Sequence, residues 1–211
     1  MIFWIVVVLL ILGSVFIVIS SHLSPNGSSS GIPPVSDSDW VKGNPDASVI
    51  IIEYSDFECP ACRSFYRIME QIVSEFGNHI LFVYRHFPLV QIHPNARLSA
   101  EAAEAAGRQG KFWEMYSMIF ENQQRWADLP LDQSKNMFAS YATSLGLDVT
   151  QFVKDIDSGE VKSRVQGELD DALSAGLDHT PTFILNGVII NNPRTLEDFR
   201  TLIRQEIEKN S

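Results

Sequence analysis

Val49-Ile50-Ile51-Ile52-Glu53-Tyr54-Ser55-Asp56-Phe57-Glu58-Cys59-Pro60-Ala61-Cys62 is the stretch from which the rest of the chain can be read. Its first six residues are a continuous β-branched run rather than an alternating one. That predicts a strand buried on both faces, central in a sheet covered by helices. A helix is predicted from about Cys59 to Phe76, with Phe65, Ile68, Met69, Ile72 and Val73 at helical spacing and Gly77 placed to stop it. A second strand follows from Ile80 to Phe87. Strand, helix and strand in this order make a βαβ unit with a right-handed crossover and parallel strands.

The chain's 2 cysteines both lie in Cys59-Pro60-Ala61-Cys62, at the first turn of that helix. Backbone N–H groups there are unpaired and the dipole end is positive, so a thiolate on Cys59 is stabilised. Pro60 suits this turn because it has no N–H to leave unsatisfied. Cys62, one turn further in, can attack a mixed disulfide at Cys59 and release the partner. Two other uses of the pair stand beside this one. The cysteines could be inert, or half of a zinc site completed by His79, His86, His93 or His179, although no second closely spaced ligand pair is present. Glu53 sits on the apolar strand, where an unpaired carboxylate is costly to bury. Its pKa should be raised, and it is a candidate proton relay for Cys62, or else an end-of-strand residue reaching solvent. Asp56 and Glu58 bring negative charge that opposes thiolate formation.

Downstream, residues 94 to about 176 show no strand but several helical stretches: Ala96 to Arg108, Lys111 to Asn122, Gln133 to Leu145 and Val161 to Ala175. This is a helical insertion. Phe112, Trp113, Met115, Tyr116, Ile119 and Phe120 form a core-facing side of one helix. His86 and His93, at the strand exit and the Pro94 turn, are expected to satisfy backbone groups. Strands return at Thr182 to Leu185 and Val188 to Ile190, joined by Asn186-Gly187, a strong hairpin signal. Thr195 opens a last helix to about Lys209, with Asp198 as its capping-box partner. In Thr180-Pro181-Thr182 the proline marks a special backbone geometry. With a cis bond before Pro181, the Thr180 backbone would face the cysteines and offer hydrogen bonds to an extended substrate.

The 211 residues carry 16 Lys+Arg against 26 Asp+Glu, a formal charge of −10, which argues against nucleic-acid and anionic-lipid partners. With 45% hydrophobic and 10% aromatic residues, the chain can fill a packed core. Residues 1–19 hold no charged side chain, and about 20 helical residues span the roughly 30 Å hydrocarbon layer. A transmembrane anchor is predicted there, a cleaved signal peptide being the alternative. The first Lys or Arg is Lys42, so charge does not orient the anchor; an extracytoplasmic domain follows by default. Residues 20–39, rich in Ser, Gly and Pro, read as a flexible linker spanning roughly 25 Å.

Four motifs in order resemble the DsbA family of exported thiol–disulfide oxidoreductases, in the thioredoxin superfamily. They are Glu53 to Cys62, Tyr84-Arg85-His86-Phe87-Pro88-Leu89, Lys111-Phe112-Trp113-Glu114-Met115, and Thr180-Pro181-Thr182-Phe183 with Asn186-Gly187. The resemblance covers about residues 40–209. It implies an α/β thioredoxin fold with a helical insertion, Cys59 as exposed nucleophile, Cys62 as resolving thiol, Pro181 in cis and Glu53 at the family's buried acidic position. It implies no cofactor and no metal. It also implies oxidation of reduced cysteine-containing polypeptides, with reoxidation by a membrane partner of the quinone-linked type. A reductase or isomerase on the same fold, and more distantly a thiol-based metal-binding module, are the alternatives. Pro60-Ala61 lacks the histidine that strongly oxidising relatives carry between the cysteines. His179 stands where relatives often have Gly, and its ring could alter the substrate groove or titrate near neutral pH.

Overall fold

In the computed structural model, which describes residues 31–210, the apolar run forms β2 (Val49–Ser55), flanked by β1 (Trp40–Gly43), β3 (Ile80–His86), β4 (Thr182–Leu185) and β5 (Val188–Ile190). The sheet order is β1-β3-β2-β4-β5, so β2 is the middle strand, parallel to β3 and antiparallel to β4. Helix α1 (Pro60–Phe76) makes the crossover, as the sequence predicts.

Alternation along the central strands divides two cores. Val49 and Ile51 of β2, with Ile80, Phe82 and Tyr84 of β3, face a large core containing Tyr66, Met69 and Ile72 of α1. Ile52 and Tyr54, with Leu81 and Val83, face the opposite side. A fully buried Ile or Phe contributes roughly 2 kcal/mol of transfer free energy, which is why an uninterrupted apolar run is stable here. Period two also turns Glu53, opposite Tyr84 in register, toward the face that carries the cysteines.

The insertion consists of α2 (Ala96–Gly107), α3 (Phe112–Glu121), α4 (Gln123–Trp126), α5 (Leu131–Ser144), α6 (Val149–Ile156) and α7 (Gly159–Ser174). The four predicted helices are present within two residues at each end. Helices α4 and α6 were not predicted; both are short, and α6 is held by Asp148 accepting from Gln151 N and by burial of Phe152 and Ile156. Gly159 opens α7 behind its N-cap Ser158, whose hydroxyl accepts from Val161 N. In the closing β4-β5-α8 unit, Asn186 and Gly187 both have positive φ (48° and 82°), and α8 (Leu196–Lys209) carries the predicted Thr195/Asp198 capping box.

Strand β1 was not predicted, because four residues give no periodicity; distant packing holds it. Trp40 stacks on Phe112 with centroids 4.3 Å apart, and its indole N–H donates to Glu104 Oε1 at 2.7 Å. A Cβ at Gly107 would fall 2.4 Å from the Trp40 ring, and one at Gly43 (φ 98°) 2.3 Å from Ile80 O, so both approaches require glycine.

The predicted anchor, residues 1–19, and the linker to residue 30 lie outside the described residues. Among the described residues no helix is long and apolar enough to cross a membrane. The remaining linker residues are docked on the domain rather than free. Ile32 and Val35 pack against the second core, and buried Arg85 holds Asp39 and the carbonyls of Pro33 and Pro34.

Candidate active site

Cys59 is the N-cap of α1 and Pro60 its first residue, so the dipeptide Pro60-Ala61 lies exposed over the helix start. Cys62 is fully buried beneath it, while Cys59 is 7% exposed: the more accessible sulfur, but far less open than the exposed nucleophile expected. Both are free thiols. The β2–α1 turn is held locally and from afar. Cys59 N–H donates to Asp56 O at 3.1 Å, and Asp56 N–H to Cys62 Sγ at 3.5 Å. From the insertion, the Gln123 amide donates to Phe57 O and Cys59 O at 2.8 and 2.9 Å. The Phe57 ring is wedged among Tyr84, Tyr116 and Phe120.

The two sulfurs are electrostatically unequal. Cys59 is lowered to about 6, chiefly by a hydrogen bond from Cys62, against a burial cost and with help from the backbone N–H groups of Cys62 and Ala61 and from Thr180. These backbone donors are the helix-terminus effect predicted from sequence. Burial pushes Cys62 well above the ordinary thiol range, and the charges of Cys59 and Glu53 add to this. Near neutral pH the site therefore holds one thiolate and one thiol.

Glu53 is 1% exposed, which removes the alternative of a side chain reaching solvent. Burial raises its carboxyl to about 8, partly opposed by the Ser55 hydroxyl. Its Oε2 has no hydrogen-bond partner among the described residues. Glu53 is thus a neutral acid below that pH, near enough to Cys62 to affect its titration. The folded state holds a proton that the unfolded state releases above about pH 4.5, so stability declines from there until about pH 8. Glu53→Gln is accordingly expected to stabilise the fold at pH 7 by roughly 3 kcal/mol and to flatten stability over that range; urea unfolding at pH 5, 7 and 8.5 checks it.

The Thr180–Pro181 bond is cis, and the Cys59 thiol meets Thr180 O at 3.7 Å, so this backbone faces the cysteines. His179 is 64% exposed on the neighbouring rim and paired with Asp178 at 2.7 Å.

One sequence reading gains partners in the fold and another needs correction. Asp56 and Glu58, expected to oppose the thiolate, are both engaged. Asp56 accepts from Glu58 N at 2.8 Å and Leu89 N at 3.0 Å, and meets His93 Nδ1 at 2.7 Å. Glu58 accepts from Asn95 N at 2.6 Å, and burial raises it to about 7, so near neutrality much of its charge is absent. The histidines meet carboxylates rather than backbone groups, His86 lying 3.0 Å from Glu104 and His93 beside Asp56. None of the histidines considered as zinc ligands joins the cysteine pair in a group able to hold a metal among the described residues. Gln123 and the Asp56–His93 pair carried no signal in sequence, since their partners lie 37 to 66 residues away.

The family profile described as Thioredoxin matches residues 36–205. The chain is 38% identical over 165 residues to Na(+)/H(+) antiporter NhaA 1 of Mycolicibacterium vanbaalenii, a match over 76% of this chain and 25% of that protein. It is 35% identical over 156 residues to Na(+)/H(+) antiporter NhaA of Herminiimonas arsenicoxydans, over 74% and 24% respectively. The chain thus spans about a quarter of the length of these curated relatives. Among solved structures, alpha-DsbA1 of Wolbachia pipientis superposes with a TM-score of 0.74 at 21% identity, over 86% of this chain and 97% of that one. BdbD from Bacillus subtilis superposes at 0.70 and 22%, over 86% and 95%. With its cysteine pair at a helix start, a cis-proline facing it and a helical insertion between the two halves of the sheet, the chain belongs to the thioredoxin family and has the fold of the DsbA-type thiol–disulfide oxidoreductases.

Proposed function

We propose that this chain is a thiol–disulfide oxidoreductase working as an oxidase of exported polypeptides, tethered to the membrane by residues 1–19. The observation that carries the reading is the unequal pair: Cys59 lowered to about 6 and facing the Thr180 carbonyl, Cys62 raised and buried behind it. A low nucleophile pKa stabilises the reduced form and so makes the disulfide form more oxidising.

In the forward direction a substrate thiolate attacks Cys59 Sγ of the Cys59–Cys62 disulfide. A mixed disulfide forms, the intramolecular bond breaks, and Cys62 leaves as a thiolate. Cys62 is strongly disfavoured as an anion, and neutral Glu53 beneath it is the proton donor, its own proton being replaced from solvent. The substrate's second thiolate then attacks its own sulfur in the mixed disulfide. Cys59 departs as the stable thiolate, and two electrons have passed from substrate to protein. Extended substrate is held by the backbone at Thr180 and Pro181 over the exposed Pro60-Ala61 surface. A membrane partner of the quinone-linked type is proposed to take the two electrons back.

The apolar, charge-free N-terminal segment supports the tether. The test uses the full-length chain in detergent, first oxidised stoichiometrically and then mixed with a reduced, unfolded disulfide protein. Transfer of one disulfide per molecule and faster recovery of native substrate are expected. Equilibration against glutathione buffers fixes direction: a midpoint as reducing as that of thioredoxin would turn the reading to a reductase.

A further inference from the structure

Asp56 ties the cysteine turn to a histidine that thiol–disulfide exchange as described above leaves unused. Its carbonyl accepts from Cys59 N, its N–H meets Cys62 Sγ, and its carboxylate meets His93 Nδ1 at 2.7 Å. This carboxylate is fully buried in the same turn as the cysteine pair, and a negative charge there opposes a thiolate. The His93 backbone is tied by its N–H to Leu89 O at 3.0 Å, and two residues on Asn95 N–H donates to Glu58 while its amide donates to Ala127 O and Leu129 O. The His93 side chain is 16% exposed, and it lines an open cavity of about 820 Å³ together with Glu58 and Pro60, the residues on either side of Cys59.

We propose that His93, held by Asp56, is a positioning residue for the exchange: its imidazolium cancels the Asp56 carboxylate and so keeps Cys59 in its anionic form. The charge balance supports this. The other ionisable groups on this cavity are Glu58 from the same turn, Arg63 and Arg67 from α1, and Asp128 after α4. Arg63 is engaged through Nε with Phe120 O, and Glu58, raised to about 7, carries only part of its charge near pH 7. The hydrogen bond and charge of Asp56 raise His93 above an ordinary imidazole, against a burial cost, and the charges of Cys59 and Glu58 add to this. A positive ring delivered by the loop after β3 thus serves where Pro60-Ala61 supplies none.

The test titrates the Cys59 thiolate absorbance of the full-length reduced chain in detergent. Loss of the positive ring in His93→Gln is expected to move the midpoint up by about one unit, a roughly tenfold loss of thiolate below it. Asp56→Asn combined with His93→Gln is expected to return it to within about a third of a unit of the unaltered protein, and His93→Lys to hold it there. A ring that merely packs would give no shift, or a double variant no closer to the starting value than the single one; either result overturns the proposal. The inference rests on the oxidoreductase reading only for its consequence in turnover. The titration involves no substrate, so it separates failure of this proposal from failure of that reading.

Discussion

Cys59→Ser is expected to reduce disulfide transfer to a reduced polypeptide by more than about a thousandfold, to the uncatalysed background. A serine oxygen forms no bond equivalent to the mixed disulfide, and Cys62 cannot substitute. Cys62 is fully buried and pushed well above the usual thiol range, so it is neither reachable nor anionic at neutral pH. The defect should be chemical rather than structural, because the Cys59 backbone bonds to Asp56 O and Gln123 survive the exchange of sulfur for oxygen. Cys62→Ser should fail differently. Mixed instead with a substrate that already holds a disulfide, its Cys59 thiolate attacks one of the two sulfurs and releases the other as a thiolate, and with no Cys62 to resolve the mixed disulfide a covalent adduct should accumulate and be visible by mass spectrometry. Transfer by Cys59→Ser at the unaltered rate would remove the enzymatic reading altogether.

Arg85→Met is expected to cost about 3–5 kcal/mol of stability, the usual effect of stranding one member of a buried ion pair. Arg85 and Asp39 have side chains only 5% and 4% exposed, joined by Nε to Oδ1 at 2.8 Å and Nη2 to Oδ2 at 3.0 Å. The same guanidinium donates to Pro33 O, Pro34 O and the Tyr54 hydroxyl. Burial alone would raise the Asp39 carboxyl, but bonding to Arg85 and Ser36 more than offsets it, and the carboxyl is lowered. Stabilisation from a lowered carboxylate is present above its unfolded value near 3.8 and fades as pH falls through the folded value. The penalty of Arg85→Met should therefore shrink in acid, as Asp39 takes a proton and no longer needs a partner. Asp39→Asn in the same chain should recover part of the loss at pH 7. Urea unfolding reads both effects, and hydrogen exchange should show residues 32–39 opening first. A loss below about 1 kcal/mol would mean the pair is solvated and the docking of this segment inconsequential.

The two predictions depend on different ranges of the chain. The Cys59–Cys62 turn is a local structure: a β-branched strand, a helix start and a proline in the first turn. Each acts within a few residues, so sequence alone placed the cysteine pair at the helix start and gave the sign of the shift at Cys59. The hairpin at Asn186-Gly187 and the capping box at Thr195 were determined in the same way, by positive φ at two residues and by two reciprocal short hydrogen bonds. The middle position of β2 also followed from sequence, since a run buried on both faces has no other stable place in the sheet.

Tertiary structure decided what surrounds that turn. Whether Glu53 faced solvent or the cysteines depended on how the strand's two faces were covered. The short strand β1 exists because Trp40 finds Phe112 and Glu104, more than sixty residues away. Asp56 and Glu58 look like a penalty on the thiolate until folding brings His93 and Asn95 onto them and Gln123 onto the neighbouring carbonyls. A chain's local chemistry prescribes turns, caps and helix ends because the partners are already adjacent. Which distant charge meets a buried carboxylate is settled only when packing removes water and leaves each polar group the few partners within reach.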